Sequence, residues 1–194
     1  MIEEKNQPLR SIEELGEFAL IDHLTKAFKI TRSETLKGVG DDAAVLEMGD
    51  QKTVISTDML VEGIHFNLSY MPMRHLGYKA VVVNLSDICA MNARPTHVTV
   101  SISISNRFTL EALEAFYKGV QDACEAYKVD LVGGDTTASL KGMTISVTAI
   151  GKVDQNKVAY RNGAKENDLL VVSGDLGGAY LGFQVLERER QVFE

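Results

Sequence analysis

The chain has 194 residues, enough for one domain or for one and part of a second. Its 45% apolar and 24% charged residues are those of an ordinary globular protein, and 27 acids against 20 bases argue against a nucleic-acid surface, which is normally basic. No uninterrupted apolar run reaches the length of a membrane span, and the acidic start Met1-Ile2-Glu3-Glu4 is unlike a secretory signal, so no membrane partner is expected.

Residues 1–11 are polar and read as a loose arm, after which Ser11 and Glu14 form a capping box at the start of a helix. Leu15, Phe18, Ala19, Leu24 and Phe28 make an apolar stripe at helical spacing, which predicts packing into the core, although Glu17 and Phe18 could also touch a ligand. Next comes Gly38-Val39-Gly40-Asp41-Asp42-Ala43-Ala44, two carboxylates on a glycine bend. Residues 44–47 and 53–57 read as a hairpin joined through Met48-Gly49-Asp50, and the second arm runs into Ser56-Thr57-Asp58.

A helix is predicted from about residue 74 to residue 91, apolar nearly all round, with Ala80, Asn84, Asp87 and Met91 sharing one face. A carboxylate on such a helix needs partners, and Asn84, one turn earlier, is a candidate for one of them. Cys89 and Cys124 have no metal-type spacing and are expected to be buried thiols in a reducing cytoplasm.

Residues 97–105 alternate apolar and small polar side chains, as a strand does, and Thr109 caps a helix to about residue 127 with Leu113, Phe116, Val120 and Ala123 inward. Tyr117 on that helix either stacks on a base or packs as an ordinary half-buried tyrosine. Leu131-Val132-Gly133-Gly134-Asp135-Thr136-Thr137 repeats the earlier logic of apolar strand, glycine bend, carboxylate and hydroxyls. Residues 143–150 form another alternating strand.

Beyond Gly151 the organisation is expected to change. Residues 158–161 and 169–173 read as strands separated by a turn at Asn162-Gly163, and Ser173-Gly174-Asp175-Leu176-Gly177-Gly178 leads into a last helix. Such a turn suits phosphate or is a plain connector. The chain reaches Glu194 with this helix just formed, which reads as a second domain only begun.

Asp41, Asp42, Ser56, Thr57, Asp58, Asp87 and Asp135 are hard oxygen donors, the kind that hold Mg²⁺ together with substrate phosphates. No Walker A loop, dinucleotide-binding glycine fingerprint or zinc-type cluster accompanies them. Phosphoryl transfer needs mainly positioning and charge neutralisation, which metal ions on carboxylates can supply. Spacing alone does not name the substrate.

The blocks at Gly38–Ala44, Ser56-Thr57-Asp58-Met59-Leu60-Val61-Glu62-Gly63-Ile64-His65-Phe66, Asn84-Leu85-Ser86-Asp87-Ile88, Gly133-Gly134-Asp135-Thr136-Thr137 and Arg161-Asn162-Gly163-Ala164-Lys165 resemble, in order, the motifs of the thiamine-monophosphate kinase family. That family shares a superfamily with aminoimidazole ribonucleotide synthetase, selenophosphate synthetase and the hydrogenase maturation factor HypE. The resemblance implies an α+β fold in which residues 1–151 form an ATP- and Mg²⁺-binding domain, a mixed sheet with helices on one face that pairs with a second subunit in a homodimer. Residues 152–194 would begin a second α/β domain.

It also implies transfer of the ATP γ-phosphate to thiamine phosphate, with no side-chain nucleophile. Several Mg²⁺ ions would be held by Asp42, Ser56, Thr57, Asp58, Asp87 and Asp135. Gly134, Asp135, Arg161 and Tyr117 would contact ATP, and His65 the thiamine phosphate. Other readings are a related ATP-dependent synthetase or maturation factor, or a Mg²⁺–nucleotide module without turnover.

Overall fold

The computed structural model describes residues 17–27 and 29–193. The expected capping box at Ser11 and Glu14 lies outside them, as does Phe28. The elements are α1 (Glu17–Thr25), β1 (Thr35–Lys37), β2 (Ala44–Met48), β3 (Gln51–Val61), α2 (Met73–Ala90), β4 (Arg94–Ile104), α3 (Leu110–Tyr127), β5 (Asp130–Ala138), β6 (Met143–Asp154) and α4 (Gly178–Phe193). Six strands form one mixed sheet in the order β1-β2-β3-β6-β4-β5. The fold is α+β, as the motifs imply.

Local chemistry explains most of these elements. The β2–β3 hairpin closes on Met48 opposite Gln51, leaving Gly49 and Asp50 as its two-residue turn. Gly49 has φ of 83°, and a glycine first in such a turn matches the twist of the flanking strands. Helix α3 starts where Thr109 accepts a hydrogen bond from the Ala112 amide, and ends where Lys128 turns left-handed at φ 56°.

Strand β6, last in sequence, enters the middle of the sheet, antiparallel to both β3 and β4. Strands β3 and β4 therefore run parallel, joined through α2, and β4 and β5 are adjacent and parallel, joined through α3. The core lies between the sheet and α2, where Val54, Leu60, Val98, Val100, Ile145, Val147 and Ala149 meet Leu76, Ala80, Val81, Leu85 and Ile88. On the opposite face Thr99, Ser101, Ser103, Thr144, Ser146 and Thr148 are only half-buried.

Helix α2 is pressed between the sheet and α3. A Cβ on Gly77 would stand 1.9 Å from the Phe116 carbonyl oxygen, and one on Gly119 would stand 1.8 Å from that of Arg74. The two backbones touch through paired glycines, and α2 buries Leu76, Ala80, Val81, Leu85 and Ile88 while Arg74, His75, Tyr78, Ser86 and Cys89 face outward. Arg74 and Lys118 both pair with Asp122, at 2.6 and 3.3 Å, tying the helices at their rim. The hydrogen bond from Arg74 holds the Asp122 carboxyl below its ordinary pKa.

Several expectations are corrected. Phe18 and Leu24 on α1 are 74% and 61% exposed, so this stripe does not join the core. Gly133 and Gly134 do not end a strand, because β5 continues to Ala138 along the sheet edge after a one-residue register shift. That shift absorbs Val132. Strand β6 runs through Gly151 to Asp154. Residues 158–161 and 169–173 are not strands, since no neighbouring strand pairs with them.

The turn expected at Asn162-Gly163 is present and spans Tyr160 to Gly163, closed by a 2.9 Å hydrogen bond from the Gly163 amide to the Tyr160 carbonyl. Cys89 is exposed rather than buried, and Cys124 is half-buried, with burial pushing its thiol pKa up. No described helix is long and apolar enough to cross a membrane.

Gly77→Ala and Gly119→Ala are expected to force α2 and α3 apart and to lower stability by about 1–3 kcal/mol each. Urea denaturation monitored by circular dichroism would measure the loss.

Candidate functional site

The glycine bend before β2, the middle of β3 and the last turns of α2 come together at one end of the core. They line a cleft of about 610 Å³ with Asp41, Asp42, Ser56, Thr57, Asp58 and Asp87, and Arg161 joins them from the segment after β6. Pockets of this size hold small-molecule ligands.

Each acid is held differently. The Asp41 side chain is only 2% exposed, with Lys37 at 3.9 Å. Its Oδ1 accepts from the backbone amides of Asp42 at 3.0 Å and Arg161 at 3.3 Å. Buried and already served by fixed donors, Asp41 anchors residue 161 to the bend. Asp42 forms an ion pair with the Arg161 guanidinium. That hydrogen bond raises the Arg161 pKa further above its ordinary value, and Asp41 and Asp87 add to the effect through their charge.

Asp87 Oδ2 accepts from the Ser56 hydroxyl at 2.8 Å, which ties α2 to β3. Asn84, fully buried, does not serve Asp87. Its Oδ1 accepts from the Asp58 amide at 3.0 Å, and its Nδ2 donates to the Ala80 carbonyl at 2.9 Å. Asn84 therefore fixes the backbone of Asp58 within β3. Thr57 lines the cleft, but its hydroxyl is hydrogen-bonded to that of Thr148 across the sheet at 2.8 Å.

His65 lies in a second cavity of about 250 Å³ that it shares with Lys79, Met59 and Val83. Asp58 lines both cavities, so the two adjoin at this residue of β3. His65 Nδ1 accepts from the Val61 amide at 3.0 Å, which leaves the ring proton on Nε2 as a donor. The Lys79 ammonium donates to the His65 carbonyl at 2.8 Å.

Three motif residues lie elsewhere. Gly134 and Asp135 are on edge strand β5, separated from β3 by β4 and β6. Their placement follows from the register of Gly134 beside Val100, where a Cβ would stand 1.8 Å from the Val100 carbonyl oxygen. Tyr117 packs edge-on against Phe116 at 5.4 Å and lines neither cavity. The turn at residues 173–178 also lies outside both.

Other lining residues carry no signal that spacing alone could separate from core packing. Phe18, Ile21, Asp22 and Thr25 fall at i, i+3, i+4 and i+7 on α1 and form one side of the large cleft, together with Val39. A stripe facing a cleft has the same period as one facing a core. Lys79 sits in the middle of an apolar helix whose sequence does not mark it.

Among the described residues no three His, Cys, Asp or Glu side chains already converge on a point that could hold a metal ion. The donor set is nevertheless all hard oxygen, and Mg²⁺ usually takes one or two carboxylates and completes its shell with phosphate oxygens and water. Asp42, Ser56, Asp58 and Asp87 fit that requirement by chemistry.

A mixed sheet backed by helices, with an acid-lined cleft at the middle of β3 and the last turns of α2, is the arrangement of a known class. Residues 40–153 match the family of AIR synthase related proteins, N-terminal domain, and the chain belongs to that family. Its relatives include the thiamine-monophosphate kinase of Bacillus subtilis, 35% identical over 177 residues, covering 90% of this chain and 54% of the relative. The thiamine-monophosphate kinase of Escherichia coli K12 is 37% identical over 179 residues, covering 91% and 54%.

A solved structure of AaThiL complexed with AMPPCP and TMP is 36% identical and superposes with a TM-score of 0.83, covering 93% of this chain and 55% of that one. The chain thus spans about half the length of the relatives it matches.

Arg161→Ala removes the ion pair to Asp42 but keeps the backbone bond to Asp41, and is expected to loosen residues 157–163 while leaving the sheet intact. Hydrogen–deuterium exchange should then speed up in that segment and stay unchanged in β3 and β6.

Proposed function

We propose that this chain carries the phosphoryl-transfer half of a thiamine-monophosphate kinase, moving the γ-phosphate of ATP to thiamine phosphate to give thiamine diphosphate. The observation that carries the reading is Asp58, which lines both a cleft of about 610 Å³ and a cavity of about 250 Å³. The larger cleft suits ATP, and the smaller one, with Lys79 and the His65 Nε2–H as donors, suits the phosphate of the acceptor. The AMPPCP and TMP bound in the relative, and the kinases of B. subtilis and E. coli, support this pairing.

Asp42, Ser56, Asp58 and Asp87 would hold Mg²⁺, with Thr57 beside them on β3. Bound Mg²⁺ would neutralise charge on the phosphates and on the transferring group. The chain's own contribution is placement. Asn84 fixes Asp58, Ser56 fixes Asp87, and Arg161 brings a permanent cation to the phosphate end of the cleft. The acceptor is an anionic phosphate oxygen, so no side chain needs to act as nucleophile. That oxygen bonds to the γ-phosphorus as the bond to the β–γ bridging oxygen breaks, and ADP leaves with the electron pair. Gly134, Asp135 and Tyr117 lie outside both cavities, and the proposal does not rest on them.

The reading predicts Mg²⁺-dependent formation of thiamine diphosphate from ATP and thiamine phosphate, measured as fluorescent thiochrome after oxidation. Asp58→Asn should lower the rate by about 100-fold or more, the scale of losing a charge-stabilising group. His65→Ala should raise the KM for thiamine phosphate about 10-fold, the scale of one hydrogen bond to a charged group, with little change for ATP. Failure of the wild-type chain to bind either substrate would overturn the reading.

The same reading includes a homodimer. The sheet face opposite α2 offers alternating hydroxyl-bearing side chains that are only half-buried, and β5 is exposed along its length. An edge and face of this kind accept a second sheet. Light scattering should give twice the chain mass of 21.3 kDa, and Ser101→Arg combined with Thr148→Arg should give the single mass. A wild-type monomer at micromolar concentration would remove the dimer from the proposal.

A further inference from the structure

The large cleft carries apolar side chains on one side only. One side, from the bend, β3 and α2, presents carboxylates and hydroxyls. The other, from α1 and the residue before Gly40, adds three apolar side chains, Phe18, Ile21 and Val39, which are 74%, 37% and 67% exposed, beside Asp22 and Thr25. Scattered exposed apolar residues are ordinary. These three are not scattered, because they face one cavity.

The aromatic ring is also tied to the charged side. The Arg161 guanidinium carbon lies 5.8 Å from the centroid of the Phe18 ring, while the same guanidinium is paired with Asp42. Phe18 therefore stands one guanidinium away from the acids, with its ring in the cleft. A ligand matching both sides has an anionic end for Arg161 and the metal-binding acids, and a flat apolar end for Phe18.

We propose that Phe18 is a stacking platform for the heteroaromatic ring of a phosphorylated ligand, and that α1 forms the ring-binding side of the cleft. The proposal rests on the kinase reading, whose two substrates both join a flat heteroaromatic ring to phosphate. An aromatic face stacks on such rings without needing a particular hydrogen-bond pattern. Arg161 links the two ends, holding Asp42 on one side and the ring region on the other. Ile21 and Val39 flank the ring position and keep it apolar.

The test is isothermal titration of the full chain with Mg²⁺, using ATP, thiamine phosphate and inorganic tripolyphosphate as separate probes. Phe18→Ala should weaken ATP, thiamine phosphate or both by about 10-fold or more, the range found when aromatic–base stacking is removed. The ligand that loses affinity identifies the ring. Tripolyphosphate, which has no ring, should bind Phe18→Ala as it binds wild type. Phe18→Trp should restore affinity and Phe18→Leu should not, because leucine supplies apolar area without an aromatic face.

Unchanged binding of both ring-bearing ligands to Phe18→Ala would overturn the proposal, as would full recovery with leucine. An equal loss for tripolyphosphate would also overturn it, by assigning Phe18 to holding Arg161. If wild type binds neither ATP nor thiamine phosphate, the kinase reading fails and this proposal falls with it.

Discussion

The close approach of α2 to α3 and to the sheet is the constraint on which the rest of the structure depends. At Gly77 and Gly119 the two helix backbones meet with no space for a methyl group. At Gly151 a Cβ would stand 2.3 Å from Ile88 Cγ2, so the sheet also lies close against the helix. This packing fixes the rotation and depth of α2. It thereby decides that Asn84 reaches the Asp58 amide and that Asp87 meets Ser56. A looser helix would still bury its valines and leucines, but would not set two polar side chains against particular atoms of β3.

Electrostatics shape what that frame presents. Five aspartates, Asp22, Asp41, Asp42, Asp58 and Asp87, line one cleft with Arg161. Exposed ion pairs contribute little stability, so the Asp42–Arg161 contact is better understood as placing a cation than as holding the fold together. Asp41 differs because its carboxylate is buried and accepts from two backbone amides. Adjacent acids of identical chemistry thus divide into one that builds the site and one that faces it. Burial is the cause of that division, and residue type does not reveal it.

Much of the fold was legible in the chain. The alternation in β4 and β6, the Thr109 cap of α3, the Gly49-Asp50 turn and the all-round apolar pattern of α2 each carry a local signal with one reading. The acids of the site were legible too, because Asp42, Asp58 and Asp87 each fall at a strand, bend or helix face where a solvated role is unusual. The strands expected in residues 158–173 failed for a physical reason: an apolar run becomes a strand only when another strand pairs with it. Gly133-Gly134 misled in the opposite way. Pairing with β4 carries the chain straight through two residues that read alone as a bend.

The sequence by itself determined the elements of the core, the supply of hard oxygen donors and their order along the chain, because backbone propensity and side-chain chemistry are local properties. Only the tertiary structure decided which donors meet. It joined Asp42 to Arg161 across 119 residues and Ser56 to Asp87 across 31. It made Asp58 a lining residue of two cavities, left Asp135 on the edge strand and turned Phe18 of the α1 stripe toward a cleft instead of the core. Periodicity specifies that a face exists, but what the face meets depends on packing between elements distant in sequence.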